Sequence, residues 1–171
     1  MIRLVEFDTC HLTEDYVAWL NDPEIVKFSQ QRFMEHTMET CRGYFESKQS
    51  IPKTFLAIEF LEQGSWSHIG NIGVDLNLND KVADLSILIG ERNLQNKGVG
   101  SIAWKLGIEH CFREFRLDCI TAGTMELNLA MRRIFEKSNM VIDAILPSRY
   151  LIDGTRVGMV CAHLPRASSL S

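Results

Sequence analysis

The stretch Gln95-Asn96-Lys97-Gly98-Val99-Gly100-Ser101 has the residue types needed to hold a phosphate. Gly98 and Gly100 let the backbone bend and let a ligand come close to it. Helical spacing begins at Gly98. Val99, Ile102 and Leu106 make one apolar stripe, and Trp104, Ile108, Cys111 and Phe115 make a second. The first turn of such a helix has N–H groups without helical acceptors and the positive end of the helix dipole, and both suit an anion. Ahead of the loop, Leu85, Ile87 and Ile89 alternate with Ser86 and Leu88, the period of a largely buried strand. The competing reading is that two glycines simply start a helix. Two familiar phosphate loops do not fit. A Walker loop requires a Gly-Lys pair that Gly98-Val99-Gly100-Ser101 lacks. A Rossmann fingerprint requires a third glycine, and Trp104 stands near its place.

The elements that must position this loop fit within one domain. The chain has 171 residues, enough for a sizeable core, and we expect a domain over 1–164 with a polar tail over 165–171. Hydrophobic residues make up 46% and charged residues 23%, ordinary for a globular chain, and the net charge of −4 gives no support to a nucleic-acid binder. Cys10, Cys41, Cys111, Cys119 and Cys161 form no C-x-x-C pair and match no zinc spacing, so no metal is expected. An odd number of cysteines behind an N-terminus without a signal-peptide core predicts reduced thiols and a cytoplasmic protein. No run approaches the roughly 20 apolar residues of a membrane span. The sequence leaves the oligomeric state open, a homodimer included.

In chain order, Ile2 to Phe7 reads as a strand. His11–Leu20 reads as a helix capped by Asp8 or Thr13, and Asn21-Asp22-Pro23 stops it. A helical turn is expected at 24–27, a loop at 28–32, and a second helix capped by Thr37. Strands follow at Thr54–Leu61, at Ile72–Leu78 and at Val82–Ile89, the last two joined by the Asn79-Asp80-Lys81 turn. The helix from Gly98 to Phe115 leads to a parallel strand, Leu117–Thr124. A helix at Asn128–Lys137, strand segments at 140–147 and 149–151, the Asp153-Gly154 turn and a strand at Val157–His163 complete the chain. The fold class is α+β: a mixed, mostly antiparallel sheet flanked by helices, in the order β-α-α-β-β-β-α-β-α-β-β.

Gln95-Asn96-Lys97-Gly98-Val99-Gly100 resembles the Q/R-x-x-G-x-G/A loop of the GNAT acetyltransferase superfamily, and the element order matches that family over nearly the whole chain. The resemblance implies an acetyl-CoA-dependent N-acetyltransferase. Its loop amides, Gln95 to Ser101, hold the pyrophosphate, with Lys97 either adding a charge or staying solvated. It further implies that the strand ending at Ile89 parts from the next one. Backbone groups of Ile87, Leu88 and Ile89 then pair with the pantetheine arm, and an N–H near Leu88 or Ile89 polarises the thioester carbonyl. A carboxylate must take the proton of the attacking amine. Asp84 matches the place where many members carry a Glu in this strand, and Asp75 is the second candidate. Either is equally readable as a solvated strand-edge acid, and His68 and His36 are weaker candidates for the base. Asn128 matches the asparagine that opens the following helix and reaches the cofactor. The family tyrosine seven residues later, which protonates the thiolate, is Phe135 here, so that acid is absent.

The acceptor is a small-molecule or peptide amine. Trp19-Leu20-Asn21-Asp22-Pro23-Glu24-Ile25-Val26 resembles a segment of the RimJ/RimL-like subgroup, in particular of members that acetylate nucleotide-linked amino sugars. Phe28, Gln30, Gln31 and Arg32 are suited to a sugar nucleotide. The same Asp-Pro segment is also readable as a plain helix stop. A protein N-terminal acetyltransferase and a silent acetyl-CoA-binding module are the alternatives.

Overall fold

The computed structural model describes residues 1–166. Its elements are β1 (Ile2–Glu6), α1 (Glu14–Asn21), α2 (Met38–Lys48), β2 (Phe55–Glu62), β3 (Ser65–Asn77), β4 (Val82–Ile89), α3 (Val99–Phe115), β5 (Cys119–Met125), α4 (Leu129–Lys137), β6 (Val141–Ile152) and β7 (Thr155–Pro165). The strands make one sheet in the order β1-β2-β3-β4-β5-β7-β6. The β1–β2, β2–β3, β5–β7 and β6–β7 pairs are antiparallel, and β4–β5 is parallel. This is the α+β class and the element order read from the sequence. Among the described residues no helix is long and apolar enough to cross a membrane. The described residues pack as two compact units, Met1–Gly73 with Ile87–Leu106, and Val74–Ser86 with 107–166.

In the first unit, Phe7, Tyr16, Leu20, Cys41, Phe45, Phe55 and Ala57 form a core, and Trp19 and Leu88 pack against it. Both candidate caps are used. Asp8 accepts from Thr9 N–H and opens a short 3-10 turn, Thr9–His11, while Thr13 accepts from Tyr16 N–H and opens α1. The stretch 24–27 makes turns rather than a helix, and Gln30–Phe33 is a 3-10 turn capped by Ser29, where a loop was expected. Asn21 holds this connection: its side chain donates to His36 O at 2.7 Å and accepts from His36 N–H at 2.8 Å. The β2–β3 turn takes Gln63 and Gly64 through positive φ of 49° and 84°, the conformation of a two-residue hairpin. That turn lets β3 begin at Ser65, seven residues before the alternation seen in the sequence. Ile102 is 52% exposed, against the expected stripe, because burial at the start of α3 follows Val99, Ala103 and Trp104 instead.

In the second unit the parallel ladder has three rungs, Val82–Cys119, Ala83–Ile120 and Asp84–Thr121. β6 is a single strand through Pro147. Register shifts between Ile142 and Ala144 and between Leu146 and Tyr150 absorb the irregularity that reads in sequence as a gap. Asp153 and Gly154 turn at φ of 47° and 77°. β7 runs to Pro165, and Arg166, expected in a polar tail, is anchored. Its guanidinium donates to Leu117 O at 2.7 Å and to Phe112 O, and its N–H donates to Asp118 O. The rest of the expected tail lies outside the described residues. The buried Cys111 thiol is pushed up to about 12 by desolvation, which makes it an inert packing group.

Gly90 directly follows β4, and the Trp19 indole lies across it. A Cβ on Gly90 would sit 1.9 Å from Trp19 Cδ2. Gly90→Ala is therefore expected to cost about 1–3 kcal/mol through displacement of the indole. A fall in the urea midpoint with an unchanged slope would confirm it, and an unchanged midpoint would refute it.

Candidate functional site

The chain leaves β4 under tight control. Ile69 O accepts from Gly90 N–H at 2.9 Å and from Glu91 N–H at 3.3 Å. The Glu91 carboxylate accepts from Asn93 N–H and opens the 3-10 turn Arg92–Leu94. Gln95 then folds the loop back, its Nε2 donating to Ile89 O at 3.1 Å. Asn96 and Gly98 follow at φ of +60° and +82°. Gly98 is exposed, and a Cβ there would meet nothing within 4 Å. Glycine is favoured at Gly98 by the backbone conformation, and the space beside it is open. Gly98 O accepts the Ile102 N–H at 3.2 Å, so the N–H groups of Val99, Gly100 and Ser101 form the first turn of α3, where helical acceptors end. An open left-handed glycine at the positive end of a 17-residue helix is a surface that an anion fits.

A bridge that sequence reading missed secures the loop from the other side. Arg92 donates to both carboxylate oxygens of Asp22 at 2.5 Å, and this hydrogen bond holds the Asp22 carboxyl below its ordinary value. Nothing in the local sequence of either residue signals a partner 70 positions away. Asn21 and Asp22 are therefore both committed to loop structure. Arg32 is also engaged locally, donating to Ser29 O at 2.5 Å and lying over the Phe33 ring.

His68 is not suited to be a base. Its ring packs against Phe7, His11, Tyr16 and Trp19, and its Nε2 is 2.9 Å from Gly70 O, which can only accept. Burial, reinforced by His11, pushes its pKa down to about 4. Gly70 is required because a Cβ would lie 2.1 Å from Leu88 O. His36 is half-buried, and Asn21 grips its backbone.

The proton-handling candidates lie in the second unit. Asp84 accepts from the Thr121 hydroxyl at 2.9 Å. Desolvation raises its pKa, the Thr121 bond opposes the rise, and the Asp75 charge adds to it. A carboxyl pushed upward is a better proton acceptor than a freely solvated one. Asn128 caps α4, its Oδ1 accepting from Met131 N–H at 3.1 Å. Phe135 is fully buried, so this position presents no side chain at the surface. Thus the structure joins Gln95 to Ile89, Asp84 to Thr121 and Asn128 to its own helix. Among the described residues no group of three or more His, Cys, Asp or Glu could hold a metal ion.

Residues 2–141 match the family model described as "Acetyltransferase (GNAT) domain". Among solved structures, the chain resembles spermidine N-acetyltransferase from Vibrio cholerae in complex with CoA and spermine, at 15% identity and TM-score 0.82, over 96% of this chain and 95% of that one. It also resembles ribosomal-protein-alanine N-acetyltransferase from Brucella melitensis, at 14% identity and TM-score 0.77, over 95% and 99% of the two chains. A third likeness is a putative acetyltransferase from Salmonella typhimurium with its cofactor acetyl-CoA, at 15% identity and TM-score 0.75, over 99% and 96%. No curated protein matches the sequence.

The depressed His68 makes stability depend on pH. Between its ordinary value of 6.5 and about 4, the unfolded chain binds a proton that the folded chain refuses. Stability therefore falls as pH drops through that window, by up to about 3 kcal/mol from this group. His68→Gln should lose less stability than the parent between pH 7 and pH 4.5 in urea titrations. Equal losses would contradict the assignment.

Proposed function

The chain belongs to the GNAT acetyltransferase family, and from that premise we propose an acetyl-CoA-dependent enzyme that moves an acetyl group to a primary amine by direct attack. The observation that carries the reading is the open, left-handed Gly98 at the start of α3, fixed to β4 by the Gln95–Ile89 bond. Of the amides from Gln95 to Ser101, those of Gln95 and Lys97 already donate to Arg92 O and Leu94 O, so the pyrophosphate is bound by those of Asn96 and of Gly98 to Ser101, and exposed Lys97 adds a positive charge beside it. Backbone groups of Ile87, Leu88 and Ile89 align the pantetheine arm as an added strand would. Acetyl-CoA supplies the activated acyl group as a thioester. An N–H at Leu88 or Ile89 stabilises the charge that develops on its carbonyl oxygen. Asp84 takes the proton that the amine must lose, and desolvation, with the Asp75 charge adding to it, keeps it receptive by raising its proton affinity. Asn128 holds the opening of α4 and also contacts the cofactor. With Phe135 in place of the family tyrosine, the thiolate leaves to water, which solvates it by donating hydrogen bonds.

For the acceptor, the Trp19–Val26 segment supports a nucleotide-linked amino sugar, while Phe28, Gln30 and Gln31 offer stacking and polar contacts. The engagement of Asn21, Asp22 and Arg32 within the loop moves the acceptor contacts onto these neighbours. The spermidine and ribosomal-protein enzymes of like fold make polyamines and peptide N-termini the rival acceptors. A panel of nucleotide amino sugars, polyamines and short peptides, read as CoA release, decides among them. Release with none of them would favour a silent binding module.

Two variants test the chemistry. Gly98→Glu should abolish acetyl-CoA binding in calorimetry while leaving the circular dichroism spectrum intact, since a side chain fits the open space but opposes both φ and anion. Unchanged affinity would refute the cradle. Asp84 acts as its carboxylate, so the rate should rise with pH through its raised pKa. Asp84→Asn should lower kcat by about 10²–10⁴ and remove that limb. A parent-like profile would exclude Asp84 from the mechanism.

A further inference from the structure

Asp84 begins a polar row that crosses the second unit. Asp84 pairs with Thr121 on β5, and Thr121 pairs with His163 on β7. Directly paired residues point to the same face, and neighbouring strands are about 4.8 Å apart. Asp143, at the β6 register shift, closes the row, its Oδ1 lying 2.6 Å from His163 Nδ1. A carboxylate only accepts, so Nδ1 carries the hydrogen, and whenever the ring is neutral its lone pair lies on Nε2. The Thr121 hydroxyl donates to Asp84 Oδ2, and a hydroxyl can accept and donate at once. The other titratable groups beside His163 are Cys119 on β5, Asp143 on β6 and Cys161 on its own strand, with Asp75 acting on Asp84. The Cys119 thiol is pushed up by burial and by Asp143, so it stays neutral.

We propose that Thr121 connects Asp84 to His163, so that a proton taken up by the carboxylate is handed across the sheet to the imidazole. This rests on Asp84 being the base. The amine N–H bond breaks as an O–H bond forms on Asp84. That O–H donates to Thr121 Oγ1 while the Thr121 hydroxyl turns to His163 Nε2. The proton passes from Asp84 to Thr121, and Thr121 gives its own hydrogen to Nε2. Asp84 returns to carboxylate, the imidazolium faces the Asp143 carboxylate, and water removes the proton. Such a route serves a base whose open side is covered by the acceptor it has just deprotonated. His163 is thus a positioning and relay residue, without contact to the substrate.

The test is imidazole nitrogen and carbon NMR of the whole protein across pH, with His163→Gln assigning the signal. The expected result is the Nδ1–H tautomer and a His163 titration curve with a second inflection from Asp84. That inflection is lost in Asp84→Asn and in Thr121→Val and kept in Thr121→Ser. An Nε2–H tautomer, or an inflection that survives Thr121→Val, overturns the relay. Should Thr121→Val not fold, the tautomer and the Asp84→Asn curve decide alone. A changed rate profile in Asp84→Asn with an unmoved His163 curve sinks only the relay, whereas an unchanged rate profile sinks the base itself.

Discussion

A helix cannot satisfy its own first N–H groups, and the chain between β4 and α3 is shaped around that fact. Those amides need an acceptor from elsewhere, and the approach to them must stay clear. Gly98 clears it by turning the backbone left-handed at φ +82°, with open space where a side chain would stand. The loop costs conformational entropy to hold in that form. The Gln95–Ile89 bond, the paired donations to Ile69 O and the Arg92–Asp22 bridge each offset part of it. Pre-ordering of this kind reduces the ordering that a bound anion would otherwise have to impose.

The same unit shows why glycine recurs next to the strand end. Gly70 allows the Leu88 carbonyl to come close, and Gly90 allows the Trp19 indole to lie flat across the chain. Trp19, on α1, thereby belongs both to the aromatic cluster and to the exit from β4. His68 shares that cluster and is kept neutral by it. The first unit therefore carries apolar packing and backbone geometry, whereas the row Asp84, Thr121, His163 and Asp143 in the second carries titratable chemistry.

Much of this was legible in the sequence because it is local. A largely apolar alternation located β4, helical spacing located α3, and capping residues located α1, α2 and α4, since period and cap are properties of neighbouring residues. The Gln-x-x-Gly-x-Gly loop was legible for the same reason, although Gln95 proved to bond to Ile89 rather than to stand open. What escaped was long-range. The Arg92–Asp22 bridge, the His68 cage and the Thr121 hydroxyl on Asp84 join residues that only sheet pairing or loop packing brings together. The length of β3 escaped because Ser65-Trp66-Ser67-His68 lacks the apolar alternation of its later half. Arg166 escaped because a charged residue after a proline gives no sign that backbone carbonyls await it.

The central claim is that backbone amides at one bend, together with the strand end before it, hold coenzyme A. The most direct measurement is an amide nitrogen–proton NMR titration of the intact protein with coenzyme A. The account predicts saturable shifts at Leu88 and Ile89 and at Gly98 to Ser101, with smaller changes along β1 and β2. Saturable binding that leaves those amides unmoved, or no binding at all, would contradict it.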